Sequence, residues 1–259
     1  AGRIELAIGA TRRKIAELTA EDLKKITRGQ LEELARVDPK AYEALGKRFG
    51  ELTKEAAQGL NSELKDVAKK LGLPEDAVAT RGKAFDSAAK KIAEKNKTGV
   101  GDLGDLAGGR LNTRDLKQVE DALGEYLKNN PGAKVDIKFP KADGEALAQR
   151  LKEKFPNAEI KVTDQPGYKG RVHIDGPEGP GKFKSEIQLG PKDVTDFYDG
   201  AIVKNGKPIT VNGKPVTVHD NMYKDLRKVT PEQLAKKGLD PNKVEDLIRR
   251  HDKLVDDIY

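Results

Sequence analysis

Cations, acids and one isolated aromatic ring recur between residues 81 and 188 in an order suited to phosphate chemistry. Arg81 and Lys83 come first, and Ser87 and Lys91 follow Lys83 at intervals of four. Asp105 then opens a turn through Gly108 and Gly109 to Arg110, and Tyr168 follows Pro166-Gly167. His173 and the run Glu186-Ile187-Gln188 lie on apolar, β-prone stretches. Fixed cations can neutralise the charge of a polyphosphate as it reacts. Two carboxylates from separate segments can share Mg²⁺, a hard cation that takes oxygen ligands and keeps waters for phosphate. One of them can also take the proton from an attacking hydroxyl. A ring exposed after a turn can stack on a base. Each residue also has a plainer reading. Lys83, Ser87 and Lys91 could be one solvated helix face, Asp105 a turn or cap residue, Glu186 the solvent side of a strand, and Tyr168 a rim residue.

Composition narrows the choice. A chain of 259 residues can bury a real core as one large domain or two modest ones. Its 49 basic and 43 acidic residues leave a net charge of +6, which fits an anionic ligand such as nucleotide or RNA without requiring one. The absence of cysteine excludes disulfides, zinc-thiolate sites and cysteine nucleophiles. Of three histidines, two stand in His-Asp pairs at 219–220 and 251–252, too few for a histidine-rich metallohydrolase. The glycine-rich run from Gly99 lacks the preceding strand and the βαβ unit of a dinucleotide fingerprint. The paired Gly108-Gly109 instead predicts a place where a ligand comes close to the backbone. No apolar run approaches the roughly 18 residues of a membrane span, and the N-terminus lacks the apolar core of a signal peptide.

The elements that must hold these residues follow from periodicity. Residues 1–74 read as a helical arm or linker, with linker to about Arg13 and a capping box at Thr19–Asp22. Separate helices carry Tyr42, Leu45, Phe49 and Leu52, and then Leu60, Leu64, Val67 and Leu71. Residues 75–259 read as an α+β domain. A helix runs from Pro74 across Arg81 and Phe85 to Lys95, and another from Thr113 to about Asn129. Strands cover Lys134–Phe139, Glu159–Val162, Gly170–Ile174 and Phe183–Leu189, with a helix over Glu145–Phe155. The last two strands pair across a Gly/Pro turn, and the helices cover mainly one sheet face. Two Asn-Gly-Lys-Pro segments, at 205–208 and 212–215, predict a hairpin or flap returning on Val216–Val218, with helices beyond Tyr223 and Asp240.

The order Arg81-x-Lys83, Ser87, Lys91, Asp105-x-x-Gly108-x-Arg110, Gly167-Tyr168, Glu186-Ile187-Gln188 resembles the synthetase domain of the RelA/SpoT alarmone synthetases and their toxin relatives. The segment His219–Lys224 resembles the family's turn before a Tyr-Lys helix, and the likeness spans about residues 75–228. The resemblance implies a nucleotidyltransferase-like mixed sheet with flanking helices. It also implies a Mg²⁺-dependent transfer of pyrophosphate from ATP to the 3′-hydroxyl of a purine nucleotide. On that pattern Arg81 and Arg110 sandwich adenine, Lys83, Ser87 and Lys91 hold the ATP phosphates, and Asp105 and Glu186 bind Mg²⁺. Glu186 also activates the acceptor hydroxyl, Tyr168 stacks on the acceptor base, and Gln188 and His173 line its pocket. The sequence departs from the pattern in two places. His173 is five residues after the Tyr where the family has four, and Leu189-Gly190-Pro191 follows Gln188 where Arg-Thr is usual. With no hydrolase module and no Met at its start, the chain is expected to be a toxin effector domain or a small stand-alone synthetase. A toxin of this kind acts in the cytoplasm of a cell into which it is delivered, and has an immunity or antitoxin protein as partner. The 3′ end of tRNA as acceptor, and a non-catalytic nucleotide- or RNA-binding module, are the alternatives.

Overall fold

The computed structural model describes residues 4–164 and 170–200, and the short stretches 203–204, 207–208, 210–211 and 213–215. Tyr168, the His219–Lys224 segment, Val216–Val218 and the two C-terminal helices read from the sequence lie outside the described residues.

A mixed six-stranded sheet organises the chain. In chain order its strands are β3 (Val78–Gly82), β4 (Ala107–Thr113), β5 (Lys134–Lys138), β6 (Glu159–Val162), β7 (Arg171–Asp175) and β8 (Ser185–Pro191). Across the sheet the order is β3-β4-β8-β7-β5-β6, with β4–β8 and β5–β6 parallel and the other pairs antiparallel. Among the described residues three helices cover one face: α3 (Pro39–Lys70), α5 (Leu116–Asn129) and α6 (Lys141–Lys154). Their apolar residues Leu60, Leu64, Leu123, Leu127, Leu147 and Leu151 meet Leu111, Val135, Ile137, Val172, Ile174, Ile187 and Leu189 in one core. This is the strand alternation anticipated from sequence, with every second residue turned inward. The other face is polar, and its two central rungs gather the chemistry. One rung runs Arg81–Gly108–Glu186–Asp175–Lys134 across five strands; the next runs Arg110–Gln188–His173–Asp136.

Before the sheet come a hairpin, β1 (Glu5–Ile8) and β2 (Thr11–Lys14), and the short helices α1 (Ala20–Lys24) and α2 (Arg28–Val37). The capping box at Thr19 is formed, the Thr19 side chain accepting from the Asp22 amide and the Asp22 side chain from that of Thr19. The stretch expected to be linker up to Arg13 is the hairpin, which buries Leu6 and Ile8 in a second core. That core also contains Leu45 and Phe49 of α3, Ala88 and Ile92 of α4 (Phe85–Glu94), and Leu103 and Leu106 before β4. The two helices read between residues 42 and 71 are one continuous α3, which supplies residues to both cores. At the other end, α7 (Lys192–Asp199) follows β8, and the residues flanking the two Asn-Gly signals pair as antiparallel strands, β9–β10 (Val203–Lys204 with Lys207–Pro208) and β11–β12 (Thr210–Val211 with Lys214–Pro215). Among the described residues no helix is long and apolar enough to cross a membrane.

Two glycines show how tightly α3 is seated. A Cβ on Gly109 would lie 2.7 Å from Leu64 Cδ1 and 2.9 Å from Leu60 Cδ2, so this glycine admits the helix rather than a ligand. A Cβ on Gly82 would lie 2.7 Å from the Thr53 backbone carbonyl. Since backbone cannot rotate away, Gly82→Ala is expected to lift β3 off α3 at a cost of about 1–3 kcal/mol. The check is urea unfolding; an unchanged midpoint would mean the two elements are not in rigid contact.

Candidate active site

Arg81 lies on β3, not on a helix, and Lys83 is in the link to α4. Lys83 is pinned at both ends of its peptide: its amide donates to the Leu106 carbonyl at 2.9 Å, and its carbonyl accepts from Thr53 Oγ1 at 3.2 Å. Helix α4 is anchored by Ala88 and Ile92, which leaves Lys91 half-buried toward the sheet and Ser87 exposed in the first turn. No side chain among the described residues caps that turn, so its amides are open to an anion. The loop that delivers Asp105 is tied to the N-terminal segment. Arg28 N donates to Thr98 O at 2.8 Å and Val100 N to Ile26 O at 3.0 Å.

These supports bring three charges together. Asp105 Oδ2 is 2.9 Å from Lys83 Nζ and 3.0 Å from Lys91 Nζ. The side chains of Lys83 and Asp105 are only 15% and 20% exposed. Burial pushes the Asp105 carboxyl upward, but the two ammonium groups outweigh it and hold the group below the usual carboxylate range. Its other oxygen, Oδ1, is buried without a hydrogen-bond partner among the described residues.

Glu186, on β8, is displaced the opposite way. Burial first, then repulsion from Asp105 and Asp175, raises its pKa above the ordinary carboxylate value; Lys91 and Lys138 offset only part of this. His173 Nδ1 stands 3.5 Å from Glu186 Oε1. Asp105 and Glu186 face one cavity of about 340 Å³, which Arg81, Gly108, Arg110 and Gln188 also line. Two acids with opposed shifts around one cavity is a common arrangement for dividing metal and proton chemistry between them.

Gln188 was read as a pocket residue, and its orientation is set by groups the sequence did not single out. Its Oε1 accepts from Arg171 Nη1 at 3.0 Å and lies 3.5 Å from Arg110 Nη2. Both partners are donors only, so the amide oxygen must face them and the amide NH₂ faces the site. Arg171 is 2% exposed. Its Arg-Val-His context gave an alternating strand but no hint that this arginine points to the polar face. Arg110 also pairs with Asp199 of α7, Nη1 to Oδ2 at 2.6 Å.

A hard dication suits this donor set. Among the described residues Asp105 Oδ1 lacks a partner, and Glu186 is held near a second carboxylate whose charge a cation would relieve. Among the described residues no group of three or more His, Asp or Glu is placed to hold a metal ion by itself, so any such ion would take its remaining ligands from phosphate and water.

No family model matches the sequence, and no curated protein matches it. The chain is similar in fold to several solved structures, two of which are described. One is the type VI effector Tas1 in complex with its immunity protein, with a TM-score of 0.49 and 17% identity, covering 82% of this chain and 95% of that one. The other is small alarmone synthetase 2 from Bacillus subtilis, with a TM-score of 0.46 and 15% identity over the same shares of the two chains. At this level of likeness the chemistry has to be read from the residues of the site itself.

Proposed function

We propose that the chain transfers the β,γ-pyrophosphate of ATP to the 3′-hydroxyl of a purine nucleotide. The observation that carries the reading is the pair Asp105 and Glu186, from separate elements, facing one cavity with their pKa values driven apart. Arg81 and Arg110, on adjacent strands over Gly108, offer two guanidinium planes for a base. Lys83, Lys91 and the open first turn of α4 beside Ser87 would take the triphosphate. Asp105 and Glu186 would hold Mg²⁺, which supplies neutralisation of charge on the transferred phosphates. The acceptor 3′-oxygen attacks the β-phosphorus, the bond to the α-phosphate bridging oxygen breaks, and AMP leaves. Glu186 takes the hydroxyl proton, and its raised pKa makes it the better base of the two. Tyr168 would stack on the acceptor base. Gln188 would donate to the nucleotide in the cavity that it lines, and His173 would hold Glu186. ATP as donor sets the place of action in a cytoplasm, and a growth-inhibiting product calls for an immunity protein in any cell that makes the chain.

The test is incubation with γ-labelled ATP and Mg²⁺ together with purine nucleotides or tRNA. Label on a nucleotide supports the reading, label on tRNA alone replaces the acceptor, and no transfer with ATP binding intact leaves a binding module. The pH profile is a second test. A base must be deprotonated to act, so kcat/KM should show an acid limb, falling as pH drops through the Glu186 pKa. Asp175→Asn, which removes one repelling charge, should move the limb down. A limb that stays put would mean that another group titrates.

A further inference from the structure

The open sheet face has a second cavity of about 340 Å³, over β8, β7, β5 and β6, while the first lies over β3, β4 and β8. Among the described residues Glu186 is the only one that lines both. If ATP fills the first, an acceptor whose hydroxyl reaches Glu186 must fill the second. The volume suits a nucleoside-sized ligand, at the lower end of the roughly 300–1,000 Å³ of small-molecule sites.

The charges around the two cavities differ in kind. The first has Arg81 and Arg110 in its lining, with Lys83 and Lys91 beside Asp105. Among the described residues the second is lined by four carboxylates, Asp136, Glu159, Asp175 and Glu186, against two ammonium groups, Lys134 and Lys161. Those cations are already engaged: Lys134 Nζ is 4.0 Å from Glu159 Oε2, and Lys161 Nζ is 3.8 Å from Asp136 Oδ2. Lys138 adds a further contact to Asp136 at 3.9 Å. Among the described residues no arginine lines this cavity. A polyphosphate tail needs surplus donors and positive charge, whereas carboxylates accept hydrogen bonds from ribose hydroxyls and from the amino groups of bases.

We infer that the second cavity selects an acceptor carrying at most one 5′-phosphate, a nucleoside or nucleoside monophosphate, and discriminates against the triphosphate. This rests on the pyrophosphokinase reading and deepens it. Each added phosphate brings negative charge toward a lining that already has an excess of it, so kcat/KM should fall roughly tenfold from monophosphate to triphosphate.

The experiment compares adenosine or guanosine with their mono-, di- and triphosphates as acceptors of label from γ-labelled ATP. The wild type and Glu159→Lys are run side by side. Glu159 is 74% exposed on the edge strand, so the substitution leaves the core alone while turning one wall charge positive. The expected result is preference for the nucleoside or monophosphate in the wild type, narrowed or reversed in the variant. Equal or better use of the triphosphate by the wild type overturns the proposal, as does label found only on RNA. The same acceptor series is also measured by equilibrium binding in the presence of α,β-methylene-ATP. If no label moves to any acceptor, the pyrophosphokinase reading fails, and the binding order still decides the cavity: monophosphate above triphosphate upholds its selectivity, and any other order, or no binding, overturns it.

Discussion

Replacing Glu186 by Gln is expected to lower transfer by about 10²–10⁴-fold, the usual contribution of a positioned base, while the fold becomes no less stable. The two halves of this expectation have one origin. The folded-state pKa of Glu186 is raised by burial and by the charges of Asp105 and Asp175. For a group raised in this way, stability is fully present below the unfolded pKa and is lost as pH rises through the folded one. At neutral pH the ionised Glu186 therefore weakens the fold, and Gln, which resembles the protonated acid, removes that penalty. A residue kept for structure would behave the opposite way. Steady-state transfer and thermal unfolding of the same preparation make the comparison. An active variant removes Glu186 from its role as base, and an inactive but destabilised one makes it a packing residue.

Legibility in the sequence followed where each element gets its stability. Glu186-Ile187-Gln188-Leu189 alternates, and its buried partners Ile187 and Leu189 fix which way the acid and the amide point. That part of the site could be read directly. Arg81 could not. Val78-Ala-Thr-Arg-Gly82 has one buried apolar residue at its start, and Pro74-Glu-Asp resembles a helix N-terminus. The segment is a strand because β4 pairs with it and α3 packs against Gly82, which is tertiary information. The hairpin at Glu5–Lys14 was hidden for a similar reason, since Thr11-Arg-Arg-Lys14 has no apolar residue and Leu6 and Ile8 alone face the core. The spacing of Lys83, Ser87 and Lys91 suggested one helix face. In the structure Lys83 precedes the helix, and the loop at Leu106 rather than periodicity aims it at Asp105. Gly109 illustrates the converse. Its type was conspicuous in the sequence, but only the position of Leu60 and Leu64 tells why it is there.

Asp105→Asn should cut transfer by about 10²–10³-fold, the scale of losing one preorganised electrostatic group, without weakening metal-free binding of ATP. In the wild type Lys83 and Lys91 are both engaged by Asp105 at 2.9 and 3.0 Å. To hold phosphate they must share themselves between that carboxylate and the ligand. Removing the negative charge leaves two ammonium groups at the cavity edge with more of their charge available, so metal-free ATP should bind as tightly or more tightly. The fold, in contrast, should lose about 1–2 kcal/mol. Breaking a buried pair costs more than that, but Asn can still accept from a lysine, and Asp105 is one-fifth exposed. Because its pKa is lowered in the folded state, the stability it contributes is present above the unfolded carboxylate pKa and disappears as pH falls through the lowered one. The variant should thus differ in stability from the wild type at neutral pH and converge with it in acid. Isothermal titration with ATP in EDTA, and unfolding at two pH values, read these effects independently of turnover. If Asp105 served only to anchor the two lysines, its loss would disperse them, and ATP binding would collapse along with activity.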